Sequence, residues 1–240
     1  MLEPSNKIQD SLRVIEQAPS LLKLTEAFRS AVDDYGYESF LCSAPPRPGE
    51  EGIDPVLFGA WPEDWRQRYT ERRYYVRDPM LQELYRTADA FTWRTILNSR
   101  RYSEADRKIV FDAAAWGMRE GFVIPLYGIG GQVHAITMAG PTPRIDSEAR
   151  SELLLMSIYA YGRAKRLAGR QLDPVPLLKP REREALQWVA AGKGDWEIGQ
   201  IMGISESAAH KHVENAKRKI GVSTRVQAVV EAIRTGQLHL

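Results

Sequence analysis

The sequence predicts an α+β fold, with an N-terminal α-β-α sandwich around a mainly antiparallel sheet and a separate all-helical C-terminal domain. Two observations carry this prediction. Up to residue 169, segments with apolar residues at helical spacing alternate with short apolar runs bounded by Gly and Pro. After the proline-rich stretch RQLDPVPLLKP, which begins at Arg170, only helical spacing follows. We therefore predict domains at residues 1–169 and 178–240, joined by a linker at 170–177.

The N-terminal domain contains five segments with helical character. Leu21, Leu24 and Phe28 share one face of the second segment. Pro62 suits the first turn of the third, and Ser103 is a good N-cap for the fourth. The predicted helices cover residues 5–18 and 20–34, a segment that starts at Trp61, and residues 103–118 and 146–167.

Five short apolar or alternating runs between these helices predict strands. The sequence GIGG joins the last two runs as a predicted hairpin. Because it links strands and does not open a helix, it is not a phosphate-binding loop. The predicted strands cover residues 37–43, 56–60, 89–93, 121–127 and 132–139.

The last predicted N-terminal helix has an unusually broad apolar stripe. Leu153, Met156 and Ala160 form one edge, and Leu154 and Ile158 widen it. A stripe of this width suits packing against the domain on one side and against a second copy of the chain on the other. We therefore predict a homodimer.

The C-terminal segment from Pro180 to Val222 predicts three short helices separated by glycine turns. Pro180 suits the start of the first helix and Ser205 is a good N-cap for the third. In the third helix Ala209, Val213 and Ala216 recur at buried spacing. This pattern indicates either a small helical bundle with a solvated charged face or a helix-turn-helix. The outer face of the third helix carries Ser207, His210, Lys211, Glu214, Asn215, Lys217 and Arg218.

The same segment, PREREALQWVAAGKGDWEIGQIMGISESAAHKHVENAKRKIGV, resembles the LuxR-type DNA-binding domain. The resemblance covers roughly the last 65 residues and implies double-stranded DNA as a partner, with RNA polymerase as a further one. It implies DNA contacts from Ser207, His210, Lys211, Glu214, Lys217 and Arg218. Two departures stand out. Lys179 replaces the usual Ser/Thr N-cap, and Ala208 and Ala209 replace the usual Thr-Val pair.

Charge and composition agree with this interpretation. Residues 175–240 hold ten basic and seven acidic residues, whereas the rest of the chain holds 23 basic and 24 acidic residues. This basic surplus is modest, which favours DNA binding as a dimer. There is a single cysteine, no basic and apolar leader at the N-terminus and no long apolar run, so we expect a soluble cytoplasmic protein without membrane association.

The most informative N-terminal stretch runs from Trp61 to Trp93. Trp65 and Tyr69 share a helical face, and Asp78 precedes Pro79. Spacing alone favours an aromatic core and a solvated carboxylate. The pattern W-x3-Y-x8-DP, with a Trp 15 residues after the Asp, nevertheless resembles the acyl-homoserine lactone-binding domain that accompanies LuxR-type DNA-binding units. Gly121 and Pro125 match further positions of that family.

This second resemblance implies a ligand site for an acyl-homoserine lactone. The indole of Trp65 is implied as a donor to the lactone carbonyl, and the carboxylate of Asp78 as an acceptor for the ligand amide. Trp93 is implied beside the lactone ring, Tyr69 along the acyl chain and Thr137 opposite the amide carbonyl. The predicted ligand-binding residues are Trp61, Trp65, Tyr69, Asp78, Met80, Trp93 and Thr137.

The size of several of these side chains predicts the acyl group. Trp61 replaces the usual Tyr of the family, and Met80 replaces a smaller residue. Met118 and Ile109 add further bulk. Because close-packed interiors resist overfilling, we expect a short, branched or aryl acyl group.

Two other classes of protein remain as alternatives. A two-component response regulator carries the same DNA-binding unit, and Asp33, Asp34, Asp54 and Lys108 fall near receiver-domain spacings. A lactone-degrading enzyme would use the same pocket, but the sequence has no metal-ligand cluster and no evident nucleophile–base pair, so we predict no catalytic residues, metal or cofactor. His134 is expected in the core or on the sheet surface.

Overall fold

The computed structural model describes residues 4–44, 56–128, 133–169 and 178–238. The chain divides into two units, one of residues 1–126 and 133–172 and the other of residues 127–132 and 173–240. The first combines helices with an antiparallel sheet and the second is helical, which confirms the α+β class. The linker predicted at residues 170–177 and residues 129–131 of the predicted hairpin turn at 128–131 lie outside the described residues.

A five-stranded sheet forms the centre of the N-terminal unit, in the order β2-β1-β5-β4-β3. The pairings of β1 with β2, β1 with β5 and β3 with β4 are antiparallel. The strands are β1 (Ser39–Ser43), β2 (Val56–Gly59), β3 (Phe91–Thr92), β4 (Glu120–Tyr127) and β5 (Val133–Gly140).

Helices cover both faces of this sheet, as predicted for an α-β-α sandwich. Along β1, Phe40 and Cys42 belong to one buried cluster and Leu41 belongs to the other, because successive strand residues face opposite sides. The first cluster contains the buried residues of α1 (Pro4–Gln17), α2 (Leu21–Asp33) and α7 (Ser147–Gly169). The second contains those of α3 (Glu63–Glu71), α4 (Pro79–Leu84), α5 (Trp93–Asn98) and α6 (Glu104–Ala113).

The prediction was wrong for several helix and strand boundaries on the sheet face that carries the second buried cluster. The strand predicted at 89–93 is only two residues long, because the Thr92 hydroxyl accepts from the Thr95 N–H and starts a helix at Trp93. Likewise, α6 ends at Ala113 and gives way to a 3-10 turn, Ala114–Trp116, which Gly117 closes with φ of 80°. The short helix α4 and a 3-10 turn at Tyr74–Val76 were not predicted.

Within residues 178–238, the C-terminal unit contains four helices where the sequence predicts three. They are α8 (Pro180–Ala190), α9 (Asp195–Met202), α10 (Glu206–Ile220) and α11 (Arg225–Arg234). The fourth, α11, adds the buried residues Ala228 and Ala232 to the core formed by the other three. Its start is encoded by Thr224, whose hydroxyl accepts from the Gln227 N–H. None of the helices in the described ranges is long and apolar enough to cross a bilayer.

Candidate functional site

The structure brings all seven predicted ligand residues together around one cavity of about 50 Å³ in the N-terminal unit. The cavity lies between helices α3 to α6 and the face of the sheet that carries Leu41. The predicted residues on its wall are Trp61, Trp65, Tyr69, Asp78, Met80, Trp93 and Thr137. Further lining residues are Leu41, Ser43, Leu81, Ile109, Val110, Ala113 and Met118.

Helix α3 positions the aromatic side of the cavity. Trp65 and Tyr69 are four residues apart, so both side chains are buried on the same face of the helix. Their rings meet edge to face, with centroids 5.9 Å apart, and Trp61 packs against Tyr69 at 5.3 Å. The ring of Trp116 also packs against Trp65, with centroids 5.3 Å apart. No pattern in the sequence singles out Trp116.

Asp78 is the buried carboxylate of the site and also the N-cap of α4. Its Oδ1 accepts from the Met80 N–H at 2.8 Å, and its Oδ2 accepts from the Tyr69 hydroxyl at 2.5 Å. Burial raises the pKa of Asp78 above its ordinary value, although these hydrogen bonds oppose the shift. The same burial, together with the carboxylate, raises the pKa of Tyr69, which stays protonated as the donor.

The indole of Trp93 packs directly against the backbone of Gly121, where any side chain would occupy its space. A Cβ atom built on Gly121 would lie 2.4 Å from Cε2 of Trp93, closer than any real contact. The indole Nε1 of Trp93 is buried and has no hydrogen-bond partner among the described residues. Gly121, known from the resemblance only as a matching position, is therefore the residue that leaves room for Trp93.

The floor of the cavity consists of alternate residues on neighbouring strands. Leu41 pairs with Thr137 and Ser43 pairs with Ala135, so Leu41, Ser43 and Thr137 all face the second side of the sheet. Leu41 and Ser43 were missed at the level of sequence. Strand alternation groups them, but only the long-range pairing of β1 with β5 reveals which side faces the cavity.

In the C-terminal unit, α10 presents the predicted DNA-binding face. Ala209, Val213 and Ala216 are buried, whereas the opposite side of the helix is exposed. The predicted DNA-contacting residues Ser207, His210, Lys211, Glu214 and Arg218 are exposed, and Lys217 is half-buried.

Polar contacts fix most of this face before any partner binds. His210 Nδ1 lies 2.8 Å from Oδ2 of Asp195, whose Oδ1 accepts from Arg225 at 2.9 Å. Lys217 donates to Glu214 at 2.7 Å, while Lys211 has no ion-pair partner among the described residues. The sequence does not predict the bridge that Asp195 forms from α9 to both α10 and α11.

The missing side-chain cap at Lys179 is compensated from within α8. Glu182 accepts from the Lys179 N–H at 2.8 Å and from the Lys219 ammonium at 2.6 Å, and only 3% of the residue is exposed. This contact satisfies one free N–H at the helix start and ties α10 to α8.

Of the residues behind the response-regulator alternative, those that the structure describes have ordinary structural roles. Asp33 ends α2 and Asp34 caps it, Lys108 pairs with Asp112, and Asp54 lies outside the described residues. His134 is buried and contacts the hydroxyl of Tyr161 at 3.1 Å; burial lowers its pKa to about 4. Among the described residues, no group of three or more His, Cys, Asp or Glu side chains is arranged to hold a metal ion.

Comparison with known families agrees with both halves of this description. Residues 21–164 match the autoinducer binding domain, and residues 176–232 match the bacterial regulatory proteins of the luxR family. The first match occupies the part of the chain that forms the cavity, and the second contains α8 to α10. Both families belong to transcriptional regulators, not enzymes.

Related proteins cover nearly the whole chain. The HTH-type quorum sensing-dependent transcriptional regulator RpaR of Rhodopseudomonas palustris is 32% identical over 235 residues, which is 96% of this chain and 93% of the relative. The transcriptional activator BjaR1 of Bradyrhizobium diazoefficiens is 29% identical over 229 residues, or 94% and 92%.

Among solved structures, Escherichia coli SdiA shares the fold with a TM-score of 0.77 at 20% identity, over 97% of this chain and 98% of SdiA. The N-acylhomoserine lactone dependent LuxR family factor CepR2 of Burkholderia cenocepacia matches 70% of this chain and 98% of its own, with a TM-score of 0.53 and 20% identity. The chain belongs to the LuxR family of autoinducer-binding transcriptional regulators.

Proposed function

We propose that this regulator binds an acyl-homoserine lactone in the cavity of the N-terminal unit and controls promoters as a dimer. The observation that supports the ligand class is the buried carboxylate of Asp78 among aromatic side chains. A homoserine lactone offers an amide N–H for such a carboxylate and a carbonyl for an indole N–H. CepR2, which shares the fold, is described as dependent on an N-acylhomoserine lactone.

In this proposal the polar atoms of the cavity bind the polar head of the ligand. Asp78 accepts from the ligand amide, Trp65 donates to the lactone carbonyl and Thr137 contacts the amide carbonyl. Trp93 packs beside the lactone ring. The ring of Tyr69 lines the cavity, where we propose that it flanks the acyl chain, while its hydroxyl donates to Asp78.

The apolar remainder of the wall supports a short, branched or aryl acyl group. Trp61, Met80, Ile109 and Met118 all line the cavity. Its volume of about 50 Å³ is small beside the roughly 300–1,000 Å³ of ordinary ligand pockets. Side chains must therefore move to admit a ligand, and every additional carbon of a long straight chain requires more movement in a close-packed interior.

A graded series of acyl-homoserine lactones tests the ligand and its acyl group together. Binding to the native state alone should stabilise the protein by about 2.7 kcal/mol at a hundredfold excess over Kd, so melting temperature reports affinity. We expect short, branched or aryl lactones to bind best and Trp61→Tyr to widen the tolerated range. The control is Trp196→Tyr, the same change at an exposed position. Best binding of a straight twelve-carbon chain would contradict the acyl prediction, and no shift with any lactone would contradict the ligand class.

The outer face of α7 supports the proposed homodimer. Leu153, Met156 and Ala160 are buried against the sheet, as the broad apolar stripe predicts. Four large apolar side chains on α7 remain 39–50% exposed, and they are Leu154, Leu155, Ile158 and Tyr159. Contiguous apolar surface of this kind favours association with a second copy.

Sedimentation at micromolar concentration tests the dimer. Ile158→Glu should shift the ligand-loaded protein to monomers, because it places a charge within the proposed interface. Leu22→Glu, on the exposed side of α2, is the matched control and should leave the mass unchanged. Equal masses for wild type and Ile158→Glu would remove α7 from the interface.

A dimer of this unit suits an inverted-repeat DNA site. Two copies of α10 related by a two-fold axis would enter successive major grooves, with half-sites about 34 Å apart. Ser207, His210, Lys211, Glu214, Lys217 and Arg218 are the proposed contact residues, and RNA polymerase is the proposed partner at the promoter.

A further inference from the structure

A second concave site lies at the β3–β4 edge of the sheet and shares no lining residue with the lactone cavity. It is an open cleft of about 640 Å³. Its walls come from the β3–α5 junction, the start of β4, the segment after β5 and the first turn of α7. The polar side chains that line it are Thr92, Arg94, Arg119, Glu120, Thr142 and Arg150.

The cleft concentrates positive charge in a part of the chain that has no basic surplus. Three arginines face one carboxylate, whereas residues 1–174 as a whole hold 23 basic and 24 acidic residues. Arg94 donates to Glu120 at 3.1 Å. Arg119 and Arg150 have no carboxylate partner among the described residues, so two positive charges of the cleft remain uncompensated.

The chain around the cleft is fixed before any ligand binds. The Arg119 N–H donates to the Gly140 carbonyl at 3.1 Å, which joins the start of β4 to the end of β5. Pro141 and Pro143 restrict the backbone of the adjoining wall. The guanidinium of Arg150 lies over the ring of Phe122 at 5.4 Å, a contact that restrains its side chain.

We propose that this cleft binds a small phosphate monoester as a second ligand of the regulator. Such a group carries nearly two negative charges at neutral pH, which matches the two uncompensated arginines. Guanidinium groups bind phosphate oxygens through paired hydrogen bonds, and Arg119 and Arg150 approach the cleft from different elements. The hydroxyls of Thr92 and Thr142 add uncharged donors. The concave shape favours a small molecule over the backbone of a DNA duplex.

Calorimetric titration of the full ligand-loaded chain with glycerol 3-phosphate tests the proposal. We expect saturable binding, with glycerol inactive and inorganic phosphate weaker. Arg119→Gln and Arg150→Gln should each weaken binding about tenfold or more, because each removes a charge-assisted contact. The matched control is Arg29→Gln, an exposed arginine on α2 outside the cleft, which should bind as wild type does.

Three results would overturn the proposal. One is the absence of saturable glycerol 3-phosphate binding. Another is equal loss of binding in Arg29→Gln, which would indicate diffuse charge attraction. The third combines two observations: wild type binds no phosphate monoester, and both cleft variants lose affinity for nonspecific duplex DNA. That result would assign the arginines to the DNA backbone. Lactone affinity is measured in parallel and should not change, so failure here leaves the lactone proposal independent.

Discussion

The hydroxyl of Tyr69 donates to Oδ2 of Asp78 over 2.5 Å, and this bond links helix α3 to the N-cap of α4 at the wall of the N-terminal cavity. The second carboxylate oxygen accepts from the Met80 N–H. Asp78 is therefore both the polar centre of the cavity and a structural cap. Donors from the protein therefore set its orientation, and the proposed contact with a ligand amide would use a remaining lone pair.

Because the Asp78 carboxylate is buried, we expect it to lower the stability of the ligand-free protein while it contributes to ligand binding. Because the folded-state pKa of Asp78 lies above the ordinary value of 3.8, ionisation costs the folded protein stability as pH rises through the raised pKa. Asp78→Asn removes that cost and keeps a good N-cap. We expect the ligand-free variant to melt higher than wild type at pH 7.5, with the difference shrinking as pH falls toward 3.8.

The same variant should lose most of its stabilisation by lactone, since a charged acceptor contributes about 1.5–3 kcal/mol to a hydrogen bond. Asp64→Asn, an exposed change on α3, serves as the control. A pH-independent difference in melting temperature between wild type and Asp78→Asn would contradict the assigned cost of burial. An unchanged lactone shift would contradict the binding role.

The close approach of Trp93 to Gly121 predicts that any side chain added at position 121 affects stability and ligand binding through steric overlap. In Gly121→Ala the new methyl would overlap the Trp93 indole, so the ring or the strand must move. Overpacking of this kind costs about 1–3 kcal/mol, and it displaces a wall of the cavity. We expect a lower melting temperature and weaker lactone binding.

Gly162→Ala is the matched control for that change. Gly162 lies within α7, and a Cβ there meets only the end of the Arg166 side chain at 3.5 Å. Since alanine favours helix by about 0.5–1 kcal/mol over glycine, this variant should be as stable as wild type or more so. Normal lactone binding by Gly121→Ala would show that the position of Trp93 does not matter to the site.

Positions on the cavity wall could be predicted where the determinants are local, whereas contacts that depend on distant partners could not. The motif from Trp61 to Trp93 contains its own spacing, and every predicted ligand residue lies on the cavity wall. The hydrogen bond from the Tyr69 hydroxyl to Asp78 was not predicted, because spacing does not reveal that the two side chains are within hydrogen-bond distance. Ser43 reaches the cavity through strand pairing and Trp116 packs behind the wall residue Trp65 through a ring contact, and no local pattern encodes either.

The contact of Glu182 with Lys219 predicts how stability of the C-terminal unit depends on pH. Burial alone disfavours the charged carboxylate, but hydrogen bonds from Lys219 and the Lys179 N–H outweigh it, and the pKa of Glu182 is lowered. A lowered folded-state pKa stabilises the fold above the ordinary value of 4.5, and this contribution is lost as pH falls through the lowered pKa.

Glu182→Gln should therefore destabilise the C-terminal unit at pH 7, by about 1.5–3 kcal/mol for loss of a charged partner. The deficit should disappear in acid. Glu184→Gln, an exposed neighbour paired with Arg181, should have little effect, because surface ion pairs contribute about 0–1 kcal/mol. Denaturant unfolding at pH 7 and at pH values below the lowered pKa of Glu182 measures both, and equal stability of the two variants at pH 7 would contradict the assigned role of Glu182.

The surroundings of Lys211 and Lys217 on α10 predict that their substitution affects DNA binding differently. Lys211 is exposed without an ion-pair partner in the described chain, whereas Lys217 is half-buried and bonded to Glu214 at 2.7 Å. Lys211→Ala should weaken operator binding and lower the slope of log K against log salt by about 0.9, the value for one phosphate contact. Lys217→Ala should weaken binding more, because it also leaves Glu214 uncompensated toward the phosphates. Combining it with Glu214→Gln should recover part of the loss.

Lys23→Ala in the N-terminal unit is the control, and fluorescence anisotropy over a salt series gives affinities and slopes. Unchanged affinity and slope in Lys211→Ala, Lys217→Ala and Arg218→Ala would mean that α10 does not contact the DNA.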